Sequence, residues 1–161
     1  MSVDLLLPFP PGKRPDLIHP LVLAYLGDAV YEMYVRQYLI SQPNHKPDHL
    51  NREAVKWVSA KAQARLLEAW RPYLTEEEAD IARRGRNAKS QRQPKSAHVL
   101  EYRASTGFEC LIGYWHLTGR TDRLVSMLKR TFEDGLAWPG AAGDEAADHA
   151  AELDDKGGDQ S

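Results

Sequence analysis

The stretch Pro20–Ile40 constrains this chain more than any other part of it. It holds no turn signal, and its polar side chains are tyrosine hydroxyls, Asp28, Glu32, Arg36 and Gln37. A segment of that length and continuity reads as a helix that is apolar nearly all round. Such a helix must lie at the centre of a fold or be shared with a partner. The rest of the chain has to be arranged to cover it.

The remainder supplies helices for that purpose. Pro47 suits the first turn of a second helix, which the spacing extends to about Trp70: Leu50, Ala54, Trp57, Val58, Ala62, Leu66 and Ala69 recur at three- and four-residue steps. Pro72 ends it. Thr75 to Glu78 form a capping box that opens a short third helix, fading near Arg84 and Gly85. Gly85–Ser96 has no apolar period and reads as a loop or mobile segment. A fourth helix covers roughly Ala97–Leu117 and closes at Gly119, a C-terminal glycine. Thr121 and Asp122 cap a fifth, which runs to about Asp134. No strand signal is convincing, so the expected class is all-α. The domain organisation expected is an extended, proline-rich segment 1–16, a folded domain 17–139 and a disordered acidic tail 140–161.

Charge divides the same way. The net charge is −2, but from Gly140 onward there are seven acids and one base, which leaves 20 basic and 16 acidic residues before it. A basic body is hidden behind an acidic tail. The single cysteine, Cys110, excludes an intramolecular disulfide and a cysteine-based zinc site. With no apolar run long enough to span a membrane and no basic, apolar leader, a cytoplasmic protein is expected.

Two carboxylates stand out. Asp28 interrupts the apolar first helix, where an unpaired charge is costly to bury. Glu32 and Arg36 follow at i+4 and i+8, so the three also fit an ion-pair strip along a solvated edge. Glu109 sits in a second apolar run, Ser105–Tyr114, with Ser105 and Thr106 one turn before it and Tyr102 two turns before. Glycines flank both: Gly27 beside Asp28, Gly107 and Gly113 around Glu109. An interior helical glycine costs about 1 kcal/mol relative to alanine, and close backbone approach is a reason to accept it. Two helices crossing at these glycines would bring Asp28 and Glu109 to one ion. Hard oxygen ligands from few carboxylates, completed by water, describe Mg²⁺. The simpler reading is that the glycines only tighten a crossing.

A third feature is basic. Arg83, Arg84, Arg86, Lys89, Arg92 and Lys95 contribute six positive charges without an acid between them, and Asn87 adds a neutral hydrogen-bonding group. Such a run attracts phosphates; Lys56 and Lys61 on the second helix would extend it. A solvated charged loop is the plainer alternative.

These residues carry a resemblance. Ala24-Tyr-Leu-Gly-Asp-Ala-Val-Tyr31 resembles the signature helix of ribonuclease III, and Ser105-Thr-Gly-Phe-Glu-Cys-Leu-Ile-Gly-Tyr114 resembles that family's second metal-binding helix. Trp57-Val-Ser-Ala-Lys-Ala-Gln63, Arg83-Arg-Gly-Arg-Asn-Ala-Lys89 and Tyr102-Arg103 are similar to Mini-III, the short bacterial members without a double-stranded-RNA-binding domain. The resemblance spans about residues 17–135. It implies an all-α ribonuclease III-type homodimer that cuts both strands of double-stranded RNA with Mg²⁺, its characteristic substrate being the precursor of large-subunit ribosomal RNA. Asp28 and Glu109 match the family's metal-binding, catalytic carboxylates; Glu32, Tyr102, Ser105 and Thr106 are candidates for supporting them. Larger ribonuclease III enzymes carry two further carboxylates where this chain has Ala24 and Thr106, a reduction that Mini-III shares. The competing function is a non-catalytic, dimeric RNA-binding or ribosome-assembly protein on the same fold, which would not need the carboxylate pair.

Overall fold

A computed structural model of the chain describes residues 7–89 and 98–136. The described residues form helices and turns with no strand, as expected: α1 (Pro20–Ile40), α2 (Pro47–Val58), α3 (Ala60–Trp70), α4 (Glu76–Asn87), α5 (Val99–Leu117) and α6 (Thr121–Phe132), with short 3-10 turns at Pro15–Leu17 and Arg71–Tyr73. The tail 140–161 lies outside the described residues.

α1 starts where its sequence says it should. Pro20 occupies the first turn, where it has no hydrogen bond to lose, and the His19 ring accepts from the Leu21 N–H at 3.1 Å. One face, with Leu23, Ala24, Gly27, Val30, Tyr31, Val35 and Leu39, is buried. The opposite face leaves Val22, Tyr25, Met33 and Ile40 exposed, Tyr25 to 84%. The helix is thus central on one side and uncovered on the other.

α5 is the partner that fills the middle, packing against α1, α4 and α3. Its crossing with α1 is a backbone contact. A Cβ on Gly27 would lie 1.7 Å from the Glu109 carbonyl oxygen, and one on Gly113 would lie 2.1 Å from the Leu23 carbonyl oxygen. No side chain can replace hydrogen at either position without separating the helices. A second close approach joins α4 to α5, where Gly85 faces Gly107 and Cys110.

Around these crossings lies an aromatic core. Phe108 meets Tyr31 edge-on at 4.8 Å and Trp70 at 4.9 Å, and Trp70 lies 5.8 Å from Trp115. Two of its polar groups are bonded across elements: the Tyr31 hydroxyl donates to the Trp57 carbonyl, and Trp70 Nε1 donates to Thr131 Oγ1, both at 2.9 Å. Glu78, the last residue of the capping box, is buried but receives Trp115 Nε1 at 2.6 Å and Arg123 at 3.0 Å. Burial pushes its carboxyl upward, yet Arg123 and the Thr75 N–H outweigh that and hold it below its ordinary value.

Four expectations are corrected. The helix expected over Pro47 to Trp70 is two helices. Ser59 turns extended (φ −61°, ψ 152°) and its hydroxyl caps α3 through the Ala62 N–H at 3.2 Å; a serine is well suited to that position, but unbroken apolar spacing hides it. The third helix does not fade at Arg84 and Gly85 but continues to Asn87, because Gly85 is there to pack against α5, not to stop α4. The fourth helix begins at Val99, two residues later than expected. The last helix is preceded by Arg120, with no side-chain cap from Thr121 or Asp122, and ends at Phe132. Gly119 does close α5 with positive φ, +72°.

Gly113→Ala tests the crossing. Alanine favours a helix by about 1 kcal/mol over glycine, but forcing atoms into a filled contact costs about 1–3 kcal/mol or more. A net loss of stability is expected in urea denaturation; an unchanged or raised midpoint would show that the crossing is loose.

Candidate active site

The α1–α5 crossing sets Gly27, the residue before Asp28, against the backbone of Glu109. The two carboxylates singled out in the sequence therefore flank the tightest contact of the fold, near enough for the charge of Asp28 to act on Glu109. Asp28 is exposed and Glu109 is half-buried. Burial, and then the negative charge of Asp28, pushes the Glu109 carboxyl up to about 8. Partial burial, with Glu32 next to it, also raises Asp28 above its ordinary value. Glu32 itself is paired with Arg36 at 2.9 Å, so the ion-pair strip exists, but only from Glu32 onward.

A half-buried carboxylate that feels the charge of a second one offers, with it, a donor set suited to a hard divalent cation. Among the described residues there is no cluster of three or more His, Cys, Asp or Glu side chains. An ion held here would take two protein carboxylates and fill its remaining positions with water.

The other candidate residues divide. Ser105 Oγ and Thr106 Oγ1 both donate to the Tyr102 carbonyl, at 2.7 and 3.1 Å. Their protons are committed to the backbone of α5, and only their oxygens remain as acceptors. Gln63 of α3, absent from the sequence-derived candidates, reaches the site: its side chain hydrogen-bonds the Glu109 carboxylate and opposes the upward shift. Its signal lies in the segment Trp57–Gln63, where a polar side chain stands among residues at helical apolar spacing.

The basic run stays on a helix past Gly85, as far as Asn87. Arg83, Arg84, Arg86 and Asn87 occupy the last turns of α4, and Arg86 leans its stem over Gly107, two residues from Glu109. Arg83 pairs with Asp80. Arg84 donates to the Asp16 carbonyl at 3.0 Å and so ties down the N-terminal segment. Arg86, Asn87 and Lys89 are exposed. Lys56 is paired with Glu53 at 2.9 Å, and Lys61 is exposed on the first turn of α3. Arg92 and Lys95 lie outside the described residues.

The raised Glu109 has a consequence for stability. Below its ordinary value of 4.5 the carboxyl is protonated in folded and unfolded chains alike. As pH rises, the unfolded chain releases the proton first, and the folded chain releases it only near 8. Metal-free protein should therefore lose stability across that window, on the order of 1 kcal/mol or more. Glu109→Gln should flatten this slope and melt higher at pH 8; equal melting profiles from pH 5 to 8 would contradict the raised value.

A family model, Ribonuclease III domain, matches residues 21–120, which include Asp28, Gly27, Glu109 and Gly113. Mini-ribonuclease 3 of Symbiobacterium thermophilum is 50% identical over 116 residues, 72% of this chain and 89% of the relative. Mini-ribonuclease 3 of Brevibacillus brevis is 47% identical over 120 residues, 74% of this chain and 90% of the relative. A crystal structure of a Fusobacterium nucleatum protein superposes with a TM-score of 0.69 at 27% identity, covering 75% of this chain and 99% of that one. The chain belongs to the ribonuclease III family and, within it, to the Mini-ribonuclease 3 branch of endoribonucleases.

Proposed function

We propose that this chain is a Mg²⁺-dependent endonuclease that cleaves both strands of double-stranded RNA, acting in the cytoplasm on the precursor of large-subunit ribosomal RNA. The observation that carries this reading is the contact of α1 and α5 through Gly27 and Gly113, which brings Asp28 near enough for its charge to act on Glu109. A protein that only binds RNA gains nothing from two carboxylates that repel each other and the phosphates alike.

Asp28 and Glu109 would hold the cation. When bound, Mg²⁺ supplies charge stabilisation to a phosphodiester and lowers the pKa of a water. The chain's own residues do the rest. The rigid backbone contact fixes the separation of the two carboxylates. Glu32, neutralised by Arg36, borders the site without competing for the ion. Tyr102, through its carbonyl, orients the Ser105 and Thr106 hydroxyls, whose oxygens stay available to accept from water. Arg86, Asn87 and Lys89 present exposed donors for phosphates, joined by Arg83 where Asp80 yields to RNA and by Lys61, Arg84, Lys56, Arg92 and Lys95 in the wider basic surface. Contact with backbone rather than bases suits A-form RNA, whose deep major groove excludes side chains.

A homodimer completes the reading. The uncovered face of α1, with Val22, Tyr25, Met33 and Ile40, is an apolar stripe of the sort that a second copy covers. A two-fold dimer also meets the two antiparallel strands of a duplex symmetrically. The folded unit would be 17–139, with the acidic tail 140–161 dispensable for cleavage. Among the described residues no helix is long and apolar enough to cross a membrane.

Purified protein incubated with a long RNA duplex should cleave it with Mg²⁺ and not with chelator. Asp28→Asn and Glu109→Gln should each slow cleavage by about 100-fold or more while still binding the duplex. Wild-type rates in both variants would place the chemistry elsewhere. In light scattering the wild type should be a dimer and Tyr25→Asp a monomer; a monomeric, active wild type would remove the dimer from the proposal.

A further inference from the structure

Gln63 is 1% exposed and lies on the buried face of α3 with Ala62, Leu66 and Leu67. An amide in such a place is costly unless its hydrogen bonds are made. Two are made, and both are specific. Nε2 donates to the Val58 carbonyl at 3.3 Å, and the side chain also hydrogen-bonds the Glu109 carboxylate. The Val58 carbonyl sits at the break between α2 and α3, where Ser59 turns extended. The helix break and the buried amide are thus one device aimed at Glu109. The remaining atom, Oε1, is buried with no partner among the described residues.

We propose that Gln63 is a positioning residue for the metal site: its amide N–H holds the Glu109 carboxylate in the orientation in which it can share a divalent cation with Asp28. The inference rests on the reading of Asp28 and Glu109 as cation ligands. Hydrogen bonds from a neutral amide suit this task, because they favour the ionised carboxylate without adding a charge that would compete with the cation. A ligating carboxylate is held in place by such outer partners in metal sites generally. The unpartnered Oε1 belongs to the same amide that touches Glu109. A cation bound by two carboxylates keeps much of its shell as water, and a water hydrogen is what this acceptor lacks. Leucine or methionine would remove the unmatched Oε1 but would strip the Val58 carbonyl and the Glu109 carboxylate of a donor, so the amide is explained by what it holds.

Gln63→Met tests the assignment, since methionine keeps the unbranched length and removes the amide. The variant should fold as a dimer, and its own metal-free melting temperature is the baseline from which its response to Mg²⁺ is read. The Mg²⁺ concentration that gives half of the metal-induced rise in melting temperature should increase about 10- to 100-fold. The Mg²⁺ midpoint for duplex cleavage should move in parallel. Wild-type Mg²⁺ midpoints in Gln63→Met would overturn the role of Gln63 and leave the cation reading intact. A wild type whose melting and cleavage ignore Mg²⁺ would overturn both. Should the variant fail to fold, NMR of the wild-type Gln63 side-chain amide decides: its protons should exchange slowly and shift on Mg²⁺ addition, and resonances that do not move would overturn the proposal.

Discussion

The structure depends on one contact, the backbone-to-backbone crossing of α1 and α5. Gly27 and Gly113 let carbonyl oxygens of the opposing helix approach to where a Cβ would be, 1.7 and 2.1 Å from the ideal positions. Because Asp28 follows Gly27 and the carbonyl that Gly27 meets is that of Glu109, the contact that sets the interhelical distance also sets the separation of the carboxylates. A loosely packed pair of helices would leave each acid to find its own solvent. Here burial at the crossing, and then the charge of Asp28, hold the Glu109 carboxyl up to about 8.

The rest of the fold holds that crossing in place. α4 presses on the far side of α5 through Gly85 and Gly107, which brings the base-rich end of α4 close to the Glu109 helix. The buried Glu78, fastened by Trp115 and Arg123, locks α4 to α5 and α6. α3 closes the third side and delivers Gln63. The three helices that pack most extensively on α5, namely α1, α3 and α4, therefore also border the turns around Glu109. Stability and the candidate site draw on the same contacts, so substitutions at these glycines and at Gln63 act on both.

Much of this was legible in the residues. A carboxylate in an apolar helix, with a glycine beside it, is a local anomaly in two ways at once, and α1 and α5 each carry one. The capping box at Thr75 and the positive-φ Gly119 follow from rules about adjacent residues. What escaped depends on partners distant in sequence. Gly85 has the look of a helix end because a glycine after arginines is a common stop; only Gly107 and Cys110 across the interface reveal it as a contact. Ser59 breaks a helix whose apolar spacing continues unbroken on both sides. Gln63 is an ordinary helical residue until Glu109 and the Val58 carbonyl are placed around it. Arg84 belongs to a basic run by composition, yet it is engaged by the Asp16 carbonyl.

The central claim is that Asp28 and Glu109 form one divalent-cation site at the α1–α5 crossing. Anomalous diffraction from crystals grown with Mn²⁺, a hard divalent ion with the oxygen preference of Mg²⁺, addresses it directly. A single strong peak within coordination distance of both carboxylates in each protomer is the predicted result. Mn²⁺ bound elsewhere on the protein, with the two side chains turned apart, would contradict it.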